Sequence, residues 1–501
     1  MHLASFCRLL GPSILTAGMA TAAAFAALPA SAARAAGPPA ERPNVILCMA
    51  DDMGWGDPAF MGNPLAKTPN LDQMAEAGLR FNRFYSAAPV CSPTRGSCLT
   101  GRHPFRYGVF FANVGHMRPE EVTLAELLGE EGYATGHFGK WHQGTLSKTD
   151  PSRNRGSGNA IVEHFSPPWL NGFEVCFSTE AKVPTYDPMI SPERGGAWWD
   201  PIDDPSTARI YGEPYRSQDG SKAAENLDGN DSRVIMDRAI PFLREAVEAK
   251  RPFLAVIWFH APHLPVVAGE EYTRPYAGQD KYTQHYLGCI TALDEQVGRL
   301  RRELRELKVA ENTMLWYCAD NGPEGSAGRA PGSAGPLRGR KRSLFEGGVR
   351  VPGLLEWPAK VRPGSVTEVP ASTSDYLPTV LEVLGLKMPD DRPLDGVSLL
   401  PVIEGRMTER PRPIAFESAG QLALVDNRYK LIHVRQGKPK EKKKGDRPGG
   451  EPPFMLFDLV DDPSETNDLA AQEPQIVDRM KTILLEWRES CKRSLAGDDY
   501  P

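Results

Sequence analysis

The sequence predicts an α/β protein: a large domain with a central, mostly parallel mixed sheet flanked by helices, then a smaller C-terminal α+β domain with a short antiparallel sheet and a closing helix. Short, continuously apolar runs, typical of strands buried on both faces, alternate with amphipathic segments. After Pro401 the pattern changes to several short strand-like segments and one long amphipathic segment. A chain of 501 residues is long enough for both domains.

Apolar runs at 44–50, 253–259 and 313–319 predict three buried strands. Thr123 can cap a helix whose apolar face is Leu124, Leu127 and Leu128. Two further helices are predicted from apolar residues at helical spacing, over 71–81 and 286–307.

Between 145 and 233 the hydrophobic periodicity fails, and the stretch is rich in Pro, Gly, Trp and Asp. Loops of this length inside a compact domain are usually functional. In the C-terminal domain, strands are predicted over 413–417, 421–425, 430–434 and 455–459, and a helix over 476–490. The basic run 438–444 predicts a solvated hairpin insertion.

Residues 1–36 are predicted to be a cleaved signal peptide. Arg8 precedes an apolar run, and both 30–32 and 33–35 match a small-x-small cleavage pattern. Gly and Pro residues bracket a run too short to span a bilayer comfortably, which favours export over anchoring. We therefore expect an exported protein, periplasmic or extracellular, without stable membrane insertion. The larger domain is expected over 37–405 and the smaller over 406–501.

The bulk charge and the cysteines narrow the function classes. A formal charge of -6 gives no reason to expect nucleic acid as a partner. Of eight cysteines, Cys7 leaves with the signal peptide, so an odd number remains, without a CxxC pair or a zinc framework. Cys48 and Cys318 are expected to be free buried thiols. An odd number of cysteines in an exported chain requires an explanation, and Cys91 is the candidate for a cysteine with a special chemical role.

Polar residues follow two of the predicted strands directly. Asp51 and Asp52 follow the first strand, and Asp320 and Asn321 follow the strand that ends at Ala319. In open α/β sheets, ligands bind outside the carboxyl ends of the strands. Either pair alone is more simply a cap or a turn. Together they predict a hard oxygen cage for Ca²⁺ or Mg²⁺.

The segment 91–102 is typical of a turn that leads into a helix, with a thiol near the helix start. A lone cysteine there is weak evidence for reactivity. Other segments add cations to hold an anionic transition state and imidazoles to move protons, although a single histidine is more often structural. The residues concerned are Lys140, His142, His260, His263 and Lys341.

Five segments of the chain resemble, in order, the successive signatures of the type I, formylglycine-dependent sulfatases of the alkaline phosphatase-like superfamily. They are 51–57 (DDMGWGD), 91–95 (CSPTR) with 99–101 (LTG), 139–142 (GKWH), 319–322 (ADNG) and 346–350 (EGGVR). The resemblance covers about 43–396, and the C-terminal part is also similar to the family. Cys-x-Pro-x-Arg by itself is moderately specific, whereas five signatures in order make coincidence remote.

The resemblance implies a sulfatase whose Cys91 is oxidised to formylglycine by a maturation enzyme. One hydroxyl of the hydrated aldehyde attacks sulfur and releases the alcohol, and the other hydroxyl drives elimination of sulfate. An ordinary Ser or Cys has no second hydroxyl and therefore cannot release the sulfate in this way. A bound Ca²⁺ holds a sulfate oxygen and polarises the nucleophile. The resemblance implies that the calcium ligands are Asp51, Asp52, Asp320 and Asn321. It also implies that Arg95 steadies the formylglycine and that His263 donates the proton to the leaving oxygen. The residues implied to contact the sulfate and the nucleophile are Lys140, His142 and Lys341. His260 is expected to be a packing residue.

The expected substrate is a sulfated carbohydrate. Aromatic and basic residues of the irregular region can stack on sugars or meet further anionic groups, although such aromatics also simply pin long loops. They are Trp169, Tyr186, Trp198, Trp199, Arg194, Arg209 and Arg216. Two alternatives stay open: a phosphate or phosphonate monoester hydrolase of the same superfamily, and a non-catalytic glycan-binding protein on this scaffold.

Overall fold

The computed structural model describes residues 42–150, 159–434 and 453–500. The predicted signal peptide and the basic run 438–444 lie outside the described residues.

The strands of the described residues, in chain order, are β1 (Asn44–Ala50), β2 (Leu79–Phe81), β3 (Phe84–Tyr85), β4 (Ala134–Lys140), β5 (Val175–Thr179), β6 (Ile190–Ser191), β7 (Arg209–Ile210), β8 (Arg216–Ser217), β9 (Phe253–Trp258), β10 (Thr313–Ala319), β11 (Arg350–Val351), β12 (Gly353–Glu356), β13 (Ser365–Thr367), β14 (Ala371–Ser372), β15 (Ile414–Ser418), β16 (Gln421–Val425), β17 (Tyr429–His433) and β18 (Met455–Asp458). The α-helices are α1 (Pro69–Ala77), α2 (Cys91–Thr100), α3 (Leu124–Glu130), α4 (Asn159–Glu163), α5 (Asp231–Glu248), α6 (Glu270–Thr273), α7 (Lys281–Glu306), α8 (Glu346–Val349), α9 (Tyr376–Leu384), α10 (Leu400–Ile403) and α11 (Pro474–Ala496).

A central sheet organises the large part of the molecule. Within the described residues it has nine strands in the order β13-β2-β12-β10-β1-β9-β4-β5-β8. Strands β10, β1, β9, β4 and β5 run parallel to one another, while β12 and β8 add antiparallel neighbours. Helices α1, α5 and α7 pack together and against the sheet, and α2, α3 and α9 form another packed group. The predicted mostly parallel mixed sheet is confirmed.

The three predicted central strands lie at the middle of this sheet. Every residue of β1, β9 and β10 is buried, because helices cover both faces of the parallel strands. The predicted cap of α3 is also confirmed: Thr123 accepts a hydrogen bond from the backbone N–H of Glu126, whose side chain accepts one from the Thr123 N–H.

The helix predicted over 71–81 is wrong at its end. Helix α1 stops at Ala77, and the next residues form β2, which pairs with β12 and β13. A Cβ at Gly78 would lie 2.3 Å from the carbonyl oxygen of Leu355. The backbone therefore passes too close to β12 for another residue, and Leu79 is buried in the sheet rather than on a helix.

The region 145–233 contains more regular structure than its composition indicates. Strand β5 joins the central sheet beside β4, and α5 begins at Asp231. Strands β4 and β5 and helix α5 were not predicted. Strand β4 includes Gly136 and Gly139, which weaken the apolar signal of a strand.

The predicted C-terminal sheet and closing helix are confirmed. Strands β15 to β18 form an antiparallel meander, and α11 packs on it. One sheet face packs on α11; the other shares a core with the larger part of the chain through Tyr85, Leu344 and Val349. The described residues fall in one compact unit, and the domain boundary at 405 stays a prediction. None of the described helices has the length and apolar character that a bilayer crossing requires.

Candidate active site

The carboxyl ends of β1 and β10 bring the predicted metal ligands together. The two strands pair in register, with Ala50 opposite Ala319, so Asp51 and Asp320 leave the sheet side by side. The backbone N–H of Asp52 donates to Asp320 Oδ1 at 3.0 Å. Asp52 has a φ of 64°, a left-handed conformation that is costly outside glycine and typical of functional sites. Parallel strand register thus creates the acidic cluster.

Two buried cations neutralise Asp51 and Asp320. Arg95 Nη2 lies 2.7 Å from Asp320 Oδ2 and 3.4 Å from Asp51 Oδ2. Lys140 Nζ donates to Asp51 Oδ2 at 2.6 Å. Burial opposes ionisation of Asp51, but the charges of Lys140 and Arg95 hold the pKa of this carboxyl well below its ordinary value. Asp51 is therefore a carboxylate.

Asp52 has its own cation. Lys341 Nζ lies 2.6 Å from Asp52 Oδ1 and 2.8 Å from Oδ2. Burial acts to lower the pKa of Lys341, but the charge of Asp52 outweighs burial and raises this pKa. The amine therefore remains protonated. Asn321 Nδ2 donates to Asp52 Oδ1 at 2.7 Å, which turns the amide oxygen of Asn321 away from Asp52.

Two oxygens of this cluster are left for a cation. Asp51 Oδ1 and Asn321 Oδ1 are buried and have no hydrogen-bond partner among the described residues. Burial, together with the nearby charge of Asp51, raises the pKa of Asp320 to about 7. Crowded carboxylates and orphaned oxygens suit a hard divalent cation such as Ca²⁺, which would favour the ionised form of Asp320. The residues present therefore fit the metal that the sequence predicts.

Cys91 is the first residue of α2 and points into this cluster. Its Sγ and one carboxylate oxygen each of Asp51 and Asp320 all lie within 4.8 Å of one another. Arg95 follows one helical turn later, which explains the Cys-x-Pro-x-Arg spacing: the same helix face presents the nucleophile position and the cation beside it. Cys91 is only 2% exposed, so a reacting group must enter a nearly closed space.

His263 faces the cluster from the loop after β9. Its Nε2 lies 3.4 Å from Asp52 Oδ2, and its Nδ1 donates to the carbonyl of Leu264 at 2.6 Å. This hydrogen bond places the proton of the neutral ring on Nδ1 and directs Nε2 into the site. Burial lowers the pKa of His263 to about 3.

His142 lies at the end of β4, two residues after Lys140. Its φ is 58°, and its Nε2 lies 2.6 Å from Asn113 Oδ1. Ser92 Oγ donates to the His142 carbonyl at 2.5 Å, which joins the loop after β4 to the start of α2. His142 therefore lies beside the segment that begins with Cys91, and its predicted contact with the sulfate stays a prediction.

His260 is a packing residue, as expected. It is fully buried, and its Nδ1 and Nε2 lie 2.8 Å from Asp231 Oδ2 and 2.8 Å from Thr179 Oγ1. Both ring nitrogens thus have partners within the fold, and the His260 carbonyl accepts a hydrogen bond from the His263 N–H at 2.8 Å.

The described cysteines, Cys48, Cys98 and Cys318 among them, are free and buried. Thiols at Cys48 and Cys318 agree with the prediction.

Several residues predicted to contact substrate already have partners. Arg216 pairs with Asp150, Arg209 with Glu193, and Trp198 stacks on His285 with ring centroids 5.5 Å apart. Sequence reasoning also missed two polar residues at the site. Asn113, with a φ of 63°, holds His142, and Lys182 lies among the site charges. Neither belongs to a motif, and only the folded chain brings them to the site.

Comparison with known proteins shows the family to which the chain belongs. The family model described as Sulfatase matches residues 43–386, and the model of the C-terminal part of N-sulphoglucosamine sulphohydrolase matches 339–490. The chain belongs to the sulfatase family. It is accordingly an enzyme of the alkaline phosphatase-like superfamily, and its relatives indicate hydrolysis of sulfate esters.

Two relatives and one solved structure illustrate the likeness. N-acetylgalactosamine-6-sulfatase of Canis lupus familiaris is 34% identical over 406 residues, which are 77% of this chain and 70% of that protein. Arylsulfatase A of Homo sapiens is 32% identical over 475 residues, 89% of this chain and 88% of that protein. The crystal structure of Ps i-CgsB in complex with k-i-k-neocarrahexaose has a TM-score of 0.73 at 26% identity and covers 90% of this chain and 93% of its own.

Proposed function

We propose that this sulfatase hydrolyses sulfate esters of a carbohydrate, using a formylglycine formed from Cys91 and a Ca²⁺ ion held by Asp51, Asp52, Asp320 and Asn321. The observation that carries the proposal is the position of Cys91: its Sγ lies within 4.8 Å of oxygens of Asp51 and Asp320. The orphaned oxygens of Asp51 and Asn321 support a cation at the same place. When bound, Ca²⁺ supplies a Lewis acid for a sulfate oxygen and the nucleophile.

The modification at Cys91 supplies two hydroxyls on one carbon after hydration, whereas a thiol offers one nucleophilic atom. The chain's own cations then hold the anionic ester. Lys140 contacts Asp51, whose carboxylate lies close to the Sγ of Cys91, and Lys341 contacts Asp52. Arg95, fully buried and bonded to Asp320, keeps the start of α2 against the cluster. We assign these three residues to holding charge and geometry, which preorganises the site before reaction.

We assign the proton for the leaving alcohol to His263. Burial lowers its pKa to about 3, so an imidazole in the free site is neutral. An arriving sulfate ester places negative charge beside Nε2, and a nearby negative charge raises a histidine pKa. Substrate binding thus favours the protonated ring that the leaving oxygen needs. Asn113 Oδ1 lies 2.6 Å from the Nε2 of His142 and fixes the orientation of this second imidazole.

A carbohydrate substrate is supported by the relatives rather than by a bound sugar. N-acetylgalactosamine-6-sulfatase and the Ps i-CgsB complex with k-i-k-neocarrahexaose both carry carbohydrate in their descriptions. The loops between β4 and α5, which the sequence analysis selected for substrate contact, follow directly on Lys140 and His142. Export to the periplasm or outside the cell, and a maturation enzyme that acts on Cys91, belong to the same proposal.

The proposal is tested by mass spectrometry of the Cys91 peptide and by kinetics on the same sample. We expect the aldehyde form at Cys91, activity on sulfated oligosaccharides, and loss of activity after chelation that Ca²⁺ restores. Matched aryl sulfate and aryl phosphate serve as the comparison. A thiol at Cys91 in a fully active sample, or faster turnover of the phosphate, would contradict the proposal. Turnover by the parent and none by Cys91→Ala excludes a purely glycan-binding role.

A further inference from the structure

Lys182 is a cation without a counter-ion at the edge of the acidic cluster. It is partly buried, and its ammonium makes no hydrogen bond or ion pair among the described residues. The charges that act on it are those of Lys140, Lys341, Asp52 and Asp51, all of which belong to the site. Burial, together with the two lysines, lowers the pKa of Lys182. A cation held in this way lacks the compensation that buried charges normally have.

The other charges of the cluster are already matched. Asp51 contacts Lys140, Asp52 contacts Lys341, and Asp320 contacts Arg95. These contacts pair each carboxylate with a cation, and Lys182 adds positive charge beyond the pairing. An anion supplied from outside the chain is the partner that the arrangement lacks.

The backbone places Lys182 to one side of the nucleophile. Lys140 is opposite Thr179 in the β4–β5 pair, and the pairing continues as the His142 N–H donates to the Glu180 carbonyl. Lys182 follows two residues later, beyond the end of β5. Strand β5 is three positions from β1 in the sheet order, about 14 Å at the usual strand spacing. Strand β5 therefore approaches the site from one side of β1, whose end carries Asp51 and Asp52, and Lys182 is reached from that side.

We propose that Lys182 binds a second anionic group of the substrate, a carboxylate or a further sulfate on the same oligosaccharide, beside the ester that is hydrolysed. This inference rests on the proposed carbohydrate sulfatase activity and deepens it. Lys182 is then a specificity-determining residue that selects polyanionic sugars, while Lys140 and Lys341 hold the reacting ester. Both partners of such a contact are charged. Its loss slows the hydrolysis of substrates that carry a second anionic group more than the hydrolysis of substrates that lack one.

The test measures kcat/KM of the parent and of Lys182→Gln on two kinds of substrate. The first is 4-nitrophenyl sulfate, which has no second anionic group. The second is a set of chondroitin- and carrageenan-derived disaccharides in matched pairs, one member with one anionic group and the other with two. We expect the ratio of kcat/KM for the dianionic over the monoanionic member to fall about 10- to 100-fold. Lys182→Arg retains most of the ratio. Lys222→Gln, which removes an exposed lysine paired with Asp150, controls for the change in net charge.

Direct binding separates this inference from the proposed function. Calorimetric titration of the same disaccharides into Cys91→Ala, with and without Lys182→Gln, requires no turnover. Weaker binding of the dianionic members alone supports the inference. An equal loss on all substrates would assign Lys182 to the hydrolysed sulfate, and no loss would remove it from the binding surface; either result overturns the inference. A parent that cleaves no sulfate ester refutes the proposed function, while the titration still decides the role of Lys182.

Discussion

Replacement of Lys430 by Met should be among the most destabilising single changes in the chain. Lys430 lies on β17, and its Nζ is 2.9 Å from Glu346 Oε1 and 3.0 Å from Glu465 Oε1. All three side chains are fully buried. Burial acts to lower the pKa of Lys430, but the two glutamates outweigh burial and raise this pKa. The amine is therefore charged. Met keeps the apolar part of the side chain and removes only the charge.

The expected cost follows from the two carboxylates left behind. Removing one partner of a buried ion pair costs about 3–5 kcal/mol. Glu465, whose pKa burial raises to about 7, can take up a proton and limit the loss. Loss of the Lys430 charge raises the folded-state pKa of both carboxyls, and that of Glu465 is already about 7, so the variant loses stability as the pH rises. We expect a deficit of about 3–5 kcal/mol at neutral pH and a smaller one at pH 5.

Urea unfolding at both pH values, followed by fluorescence and linear extrapolation, measures the deficit. Lys492→Met is the matched control, because Lys492 pairs with Glu489 on the surface and both side chains are more than half exposed. The control should leave the midpoint almost unchanged. A deficit for Lys430→Met below about 1 kcal/mol, or one of equal size at both pH values, would refute the electrostatic reasoning.

Three further outcomes are expected. Cys91→Ser should not complete more than one turnover on an aryl sulfate, because serine lacks the second hydroxyl that releases sulfate; product beyond one equivalent per enzyme molecule would remove Cys91 as nucleophile. Ca²⁺ should raise the melting temperature of the parent and raise that of Asp320→Asn much less; equal shifts in a calcium titration would exclude Asp320 as a ligand. Burial raises the pKa of Asp294 to about 6 from 3.8, so its stabilising contribution is complete at low pH and about 3 kcal/mol is lost as the pH rises through 6. Asp294→Asn should flatten the slope of stability against pH between 4 and 6, and an unchanged slope in urea unfolding would contradict the assignment.

Much of the site was predictable because its residues follow strong local signals. Asp51 and Asp320 come directly after continuously apolar strands, and parallel register alone then brings them together. The spacing of Cys91 and Arg95 corresponds to one helical turn, which places both on the same face of α2. In each case the neighbouring residues along the chain determine where the side chain points.

Short strands were not predictable in the same way. The helix expected over 71–81 continued into Leu79 because the apolar spacing did, but the close approach of β12 at Gly78 makes that stretch a strand. Strand β5 has five residues, too few for a period to stand out, and its pairing with β4 stabilises it. Contacts with distant parts of the chain override weak local preference.

The sequence by itself determined which apolar runs form the central strands and which acidic residues follow them. It also determined the cysteine motif that marks the family. Only the tertiary structure decided that Asn113 holds His142, that Lys182 lies unpaired beside the site, and that Lys430 secures Glu346 of the EGGVR signature. The physical reason is range. Strand and helix patterns act over a few residues, whereas hydrogen bonds and ion pairs join side chains that the sheet brings together from distant positions, and no local pattern records those partners.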